Sequence, residues 1–145
     1  MDLRQNGFTL LETMIALSIV SILAMVAVPT YLDYVVRARI SEGFSLLEPV
    51  KGMVMEYYET NGTWPNSNAA AAVRPPASFQ TDYVDNISIT GTATGTTITI
   101  TYRIPALGAN NTIVFTPNDN GGSNIEWSCK NGTVINKFRP PACRT

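Results

Sequence analysis

The sequence predicts an α+β fold, with a long N-terminal α-helix whose second half packs on a small antiparallel β-sheet and a terminal loop beyond it. Two observations carry this. An apolar run over residues 8–28 passes into a stripe of apolar residues spaced by three and four as far as Tyr57, which is helical periodicity. From residue 86 onward, apolar residues alternate with polar ones between Asn/Gly clusters, which is the period of half-buried strands. Composition sets the limits. At 145 residues, 45% hydrophobic and 14% charged, the chain is one domain with at most an appendage, and it is not a disordered polymer. A net charge of -1 argues against a generic nucleic-acid binder. With no histidine and two cysteines, His-based triads, His-ligated metal sites and a four-thiolate zinc site are excluded. No metal cluster, phosphate loop or paired-carboxylate site stands out, so neither a cofactor nor enzymatic activity is expected.

The first element is FTLLETMIALSIVSILAMVAV, from Phe8 to Val28, 21 residues with the single charge of Glu12. As a helix it spans about 31 Å, the thickness of a bilayer core. Its Phe, Leu, Ile and Val residues together favour insertion by roughly 3–7 kcal/mol. One carboxylate opposes this by about 2.5–3.5 kcal/mol at mid-bilayer and by less near an end, so insertion wins. A buried core helix would be amphipathic, and this one is apolar all round. A removable secretory signal needs small residues of A-x-A type at its exit, and LAMVAVPTY does not supply them. The segment is expected to be retained.

Seven short polar residues, MDLRQNG, precede the run and end in Gly7, directly before FTLLE. Here the sequence resembles the type IV pilin family, whose precursors have a short polar leader ending in Gly, then an aromatic residue and a carboxylate five places into the mature chain. The likeness continues through Pro29 and PTYLDYVVRARISEG and ends with the paired cysteines, Cys129 and Cys143. Two departures are Ser21, where many relatives have glycine, and Asp2, in a leader that is more often purely basic. The resemblance implies cleavage between Gly7 and Phe8 by a prepilin peptidase, methylation of the new Phe8 amine, and export of the mature chain.

Physical chemistry gives Glu12 a purpose in such a chain. After cleavage the Phe8 amine is one helical turn away, and an unpaired charge of either sign is costly in lipid. Pairing with a neighbour's amine would set the register of a filament, so Glu12 is the expected assembly contact. Ser18, Ser21, Ala24 and Ala27 recur every third residue, which lets helices approach closely.

Pro29 closes the apolar run and is expected to kink the helix, with Pro49 adding a second bend. Between them and beyond, Val36, Ile40, Phe44, Leu47, Val50, Val54 and Tyr57 form the apolar stripe. The helix is expected from Thr9 to Thr60, about 78 Å at 1.5 Å per residue, with a stop at Asn61-Gly62. The resemblance also implies that the stretch before the first proline, here Ser21–Thr30, is partly unwound in a filament.

Residues 61–85 read as a long surface loop with a helical turn at Asn68–Val73. Strands are expected at Asn86–Thr90, Thr96–Ile104, Asn111–Thr116 and Asn124–Ser128, the last two joined around Asn120-Gly121-Gly122, with a further tight turn at Asn131-Gly132. Two cysteines in an exported chain read as a disulfide, Cys129–Cys143, worth about 3 kcal/mol for a loop of this size. The expected organisation is therefore a leader 1–7, a membrane and filament-core helix 8–28, an amphipathic half 29–60, and a globular head 61–145, made of the loop, a sheet over 86–128 and a disulfide loop 129–143.

Charge is uneven. The last seventeen residues hold Lys130, Lys137, Arg139 and Arg144 and no acid, a candidate contact for DNA, an anionic receptor or acidic patches on adjacent subunits. The expected function is a structural subunit that polymerises with identical copies into a type IV pilus serving adhesion, twitching motility and DNA uptake. It would be stored in the bacterial inner membrane as a single-pass precursor surrounded by lipid, then extracted into the extracellular filament. An inner-membrane platform with ATPase motors would supply the work. A type II secretion pseudopilin or a minor pilin is the nearest alternative. A single-span anchored periplasmic enzyme or binding domain is the alternative of another class, distinguished by an uncleaved leader and a monomeric state.

Overall fold

The computed structural model describes residues 7–92, 95–118 and 125–145. The leader residues 1–6, the Asn120-Gly121-Gly122 turn and Asn124 lie outside the described residues. Helix α1 spans Leu10–Asn61, within a residue of expectation. Thr9 caps it, with its Oγ1 accepting from the backbone N–H of Glu12 at 3.2 Å. Gly62, at φ 67, follows the last turn, and its N–H donates to the Tyr58 carbonyl at 2.8 Å, a glycine termination of the kind the sequence marks. Neither proline ends α1. Residues 21–30 are helical in this subunit; the unwinding implied by resemblance concerns a filament.

The described chain divides into two units between Val35 and Val36. In the second unit, four strands follow in meander order β1-β2-β3-β4, all antiparallel. They are β1 (Val84–Thr92), β2 (Gly95–Tyr102), β3 (Thr112–Asn118) and β4 (Glu126–Gly132). β2 alternates as its sequence requires: Thr96, Ile98, Ile100 and Tyr102 are buried while Thr97, Thr99 and Thr101 are half-buried. Ile87, Ile89, Ile113 and Phe115 extend the buried face into β1 and β3. From α1 the buried residues are Val36, Ile40, Gly43, Leu47, Val50 and Val54.

That set corrects the expected stripe. Phe44 and Tyr57 lie at its margin, half-buried, although Phe44 packs edge-on against Phe115 at 5.3 Å between ring centres. Gly43 takes the central place. A Cβ there would sit 2.6 Å from the Tyr102 hydroxyl oxygen, and that hydroxyl donates to the Ile40 carbonyl at 3.0 Å. The helix thus gives up a side chain so that an aromatic from β2 can reach its backbone.

Burial of Tyr102 pushes its hydroxyl well above the usual 10.0. The folded chain therefore holds this proton after the unfolded chain has lost it. Below pH 10 the two states carry it alike; above pH 10 stability falls by up to about 1.4 kcal/mol per pH unit. Denaturant unfolding of the full chain in detergent between pH 9 and 11 should show this slope, and Tyr102→Phe should flatten it. An equally steep fall in the variant would remove Tyr102 as the cause. Asp85 behaves oppositely, because the Arg103 guanidinium at 2.8 Å and the Asn86 amide at 3.0 Å hold its carboxyl below the usual range. Its exposure makes the effect on stability small.

The 61–85 segment is not purely a surface loop. Residues 68–72 form turns and Pro76–Phe79 a 3₁₀ turn, and Ala71, Val73 and Phe79 join the core. Asn68 is buried. Its Nδ2 donates to the carbonyls of Arg74 and Ile87, at 3.1 and 3.0 Å, and its Oδ1 accepts from the Ile89 N–H at 2.7 Å. One amide thereby pairs with two backbone groups of β1, at Ile87 and Ile89. Asn131-Gly132, expected as a tight turn, instead closes β4, with Gly132 opposite Ile113. Glycine is needed there because φ is +109 and a Cβ would collide with the Thr112 carbonyl.

Candidate assembly surface and terminal loop

Gly7, Phe8 and Thr9 precede the helix and are exposed, Phe8 to 81%. The expected cleavage junction is therefore non-helical backbone. Glu12 is the third residue of α1, one helical turn beyond the exposed Phe8, where the helix dipole favours an anion. The Thr9-x-x-Glu12 spacing is a cap signature that the sequence already carries.

From Leu10 to Tyr34 the large apolar side chains stay more than half exposed. Hydroxyls do not interrupt this surface. Thr13, Ser18, Ser21 and Thr30 each turn their Oγ onto the carbonyl three or four residues back, at 2.8–3.0 Å. A hydroxyl tied to its own helix presents little polarity to lipid or to another helix. The predicted stripe of Ser18, Ser21, Ala24 and Ala27 is thus small and chemically quiet. A continuous apolar surface of this extent marks contact with a membrane or with partner chains, and α1 is the described helix long and apolar enough to cross a bilayer.

At the other end of the sequence Cys129 and Cys143 are bonded, with their Cα atoms 4.8 Å apart. Here one predicted contact is corrected. Arg139 is 4% exposed, so it is not available to an external anion. Its guanidinium donates to four main-chain carbonyls: Val134, Lys130, Gly132 and Cys143. No carboxylate is among the partners in these bonds; the carbonyl dipoles hold the charge. Lys130, Lys137 and Arg144 are exposed, and Arg144 Nε also donates to the Arg139 carbonyl at 3.1 Å. Arg37 on α1 donates to the Lys137 carbonyl at 2.8 Å and anchors the loop to the helix. Because the charge on Arg139 was legible and its burial was not, sequence reasoning grouped it with the exposed cations.

An unburied apolar stretch of helix bearing one carboxylate, and a disulfide-closed head, define a chain that a membrane or partner chains must complete. Comparison with known proteins agrees. Residues 36–144 match the family model described as Pilin (bacterial filament), and residues 2–28 the Prokaryotic N-terminal methylation motif. The fimbrial protein EcpC of Eikenella corrodens is 37% identical over 143 residues, covering 97% of this chain and 91% of that protein. The type IV major pilin protein PilE1 of Neisseria gonorrhoeae is 38% identical over 137 residues, covering 89% and 78%. A fimbrial protein of Moraxella nonliquefaciens is 51% identical over 47 residues, or 32% and 30% of the two chains. The chain belongs to the pilin family, whose members are structural rather than enzymatic, and it is a structural subunit of a type IV pilus. It forms a filament of identical subunits, and its membrane-anchored precursor becomes part of an extracellular pilus. The pseudopilin and the anchored-enzyme alternatives find no support in these relatives.

Proposed function

We propose that the chain is made in the bacterial inner membrane, cut between Gly7 and Phe8 by a prepilin peptidase, and methylated on the Phe8 amine. Segment Phe8–Val28 then waits in lipid until an inner-membrane platform, driven by partner ATPases, moves it into the filament. There the apolar helices of neighbours take the place of lipid, and Glu12 of each incoming subunit pairs with the Phe8 amine of another. Pro29 and Pro49, each lacking a donor, are the points where the helix bends to fit its neighbours. The filament serves surface attachment and twitching movement, with DNA uptake as a further service.

The observation that carries this reading is the unburied apolar stretch of α1, whose single carboxylate sits one turn from an exposed Gly7–Phe8 junction. Shearing filaments from cells and sequencing the main band from its N-terminus tests it. The expected subunit starts at Phe8 and is one methyl group heavier than the unmodified chain. A subunit that still carries MDLRQNG would overturn the proposal.

A further inference from the structure

The sheet has a second face. Alternation along the strands puts Ile87, Ile98, Ile100 and Ile113 into the core. It turns Ser88, Thr97, Thr99, Thr101, Thr112 and Val114 the other way, half-buried. Register sets these side chains in rows: Ser88, Thr99 and Val114 are cross-strand neighbours in one, and Thr101 and Thr112 in the next. Asp85 is the one charged residue in β1, β2 and β3, and it lies at an end of β1, where Arg103 pairs with it at 2.8 Å. The face is therefore uncharged, and short, mostly β-branched side chains at the strand spacing make its surface one of methyls and hydroxyls.

These hydroxyls differ from those of the apolar stretch of α1. There Thr13, Ser18, Ser21 and Thr30 are tied to their own helix. Among the described residues, Ser88, Thr99 and Thr101 make no side-chain hydrogen bond and are open to a polar partner. A hydroxyl both donates and accepts, so a face of hydroxyls complements a copy of itself. Charge favours the same partner. Two copies that meet through an identical patch set its net charge against itself, and this patch has none. The terminal run, with Lys130, Lys137 and Arg144 and no acid, would repel its own copy. A net charge of -1 on the whole chain adds little repulsion between larger bodies. Size decides what the contact can hold. Three strands by five residues cover about 14 by 17 Å, or about 240 Å², far below the roughly 800 Å² per partner of a stable complex. A single pair of heads therefore stays apart, whereas a row of heads repeated along a filament multiplies the contact.

We propose that the threonine face of the sheet is a lateral contact between filaments, on which Ser88, Thr99 and Thr101 of a subunit in one filament meet the same face of a subunit in a second. This rests on the filament reading and adds a contact between filaments, not one within them.

The test uses pili sheared from cells, imaged by electron microscopy and spun at low speed, which pellets bundles and leaves single filaments in solution. Parent pili should bundle. Thr99→Lys should leave the filament yield and the melting of the subunit in detergent unchanged. It should cut the pelleted fraction by about tenfold or more, because a repulsion at each subunit multiplies along the row. Salt near 1 M, where the screening length falls to about 3 Å, should restore the bundles. Thr99→Glu should act alike, and a mixture of the Lys and Glu filaments should bundle together. Ser88→Lys places the same charge on the neighbouring strand and repeats the test if a lysine in β2 impairs folding. Parent pili that stay single, lysine variants that bundle as the parent does, or a mixture no better than its components would each overturn the proposal. Filaments are still present in all three outcomes, whereas failure of the filament reading would leave none in the sheared fraction.

Discussion

Glu12→Ala should leave the precursor in the membrane and abolish filament assembly. The substitution removes a charge that opposes insertion by up to about 2.5–3.5 kcal/mol, so anchoring improves if it changes. Helix α1 also keeps its cap, because Thr9 receives the backbone N–H of residue 12, not its side chain. The side chain is lost from the first turn, where its interaction with the dipole is worth about 0.3–1 kcal/mol, too little to unfold a 52-residue helix. What disappears is the only anion between Phe8 and Leu32. The amine of a cleaved neighbour would then enter an apolar bundle without a counter-charge, at a cost of several kcal/mol. Electron microscopy of surface filaments, set beside immunoblots of the membrane pool, gives the reading. A normal membrane pool with no filaments is expected. Glu12→Gln should fail similarly, since its amide can hydrogen-bond but carries no charge. Filaments in parental number from either variant would show that the carboxylate is not the register contact.

Arg139→Ala should destabilise the head by about 2–5 kcal/mol through loss of bonds to four carbonyls in a dry site. For a unit of this size, ~1 kcal/mol corresponds to about 4–8 °C, so the loss in Tm should be at least about 8 °C. The disulfide does not compensate, because it ties Cys129 to Cys143 while Arg139 holds Lys130, Gly132 and Val134 between them. Arg139→Lys should rescue only part of the loss: one ammonium cannot reach carbonyls spread around a planar guanidinium. Thermal melts of the full chain in detergent, with limited proteolysis of residues 129–145, measure both effects. A melt within a degree or two of the parent chain would mean that water satisfies those carbonyls at no cost. Reduction of the disulfide in the parent chain offers a comparison. The Arg139 contacts should keep the loop more protected than it is in reduced Arg139→Ala.

Much of this was legible in the sequence because it is local. The apolar run, the three-and-four spacing after Pro29 and the Ile/Thr alternation of Thr97–Ile100 each state a period, and period fixes element type. The residues proposed as cleavage junction and assembly contact, Gly7–Phe8 and Glu12, were also visible as a motif, as they lie within six residues of one another. Other features escaped for a common reason. Gly43 carries no hydrophobic signal and becomes a core position only because Tyr102, far along the chain, fills the space above it. Asn68 reads as one more loop asparagine until the edge of β1 is placed beside it. Asn131-Gly132 has turn chemistry, yet pairing with Ile113 and Val114 keeps it in the strand.

The amino-acid order alone determined the long helix, its membrane-ready first half and the sheet, since each depends on spacing between near neighbours or on composition; the filament class followed from the resemblance of the N-terminal segment to a known family, and the cysteine bridge from two cysteines in an exported chain. Only the folded head decided which polar side chains go inside, and that Arg139 binds carbonyls on one outer strand of the sheet and Asn68 backbone groups on the other. A hydrogen-bonding group has the same formula in water and in a core. Its partners, drawn from distant parts of the chain, decide where it belongs.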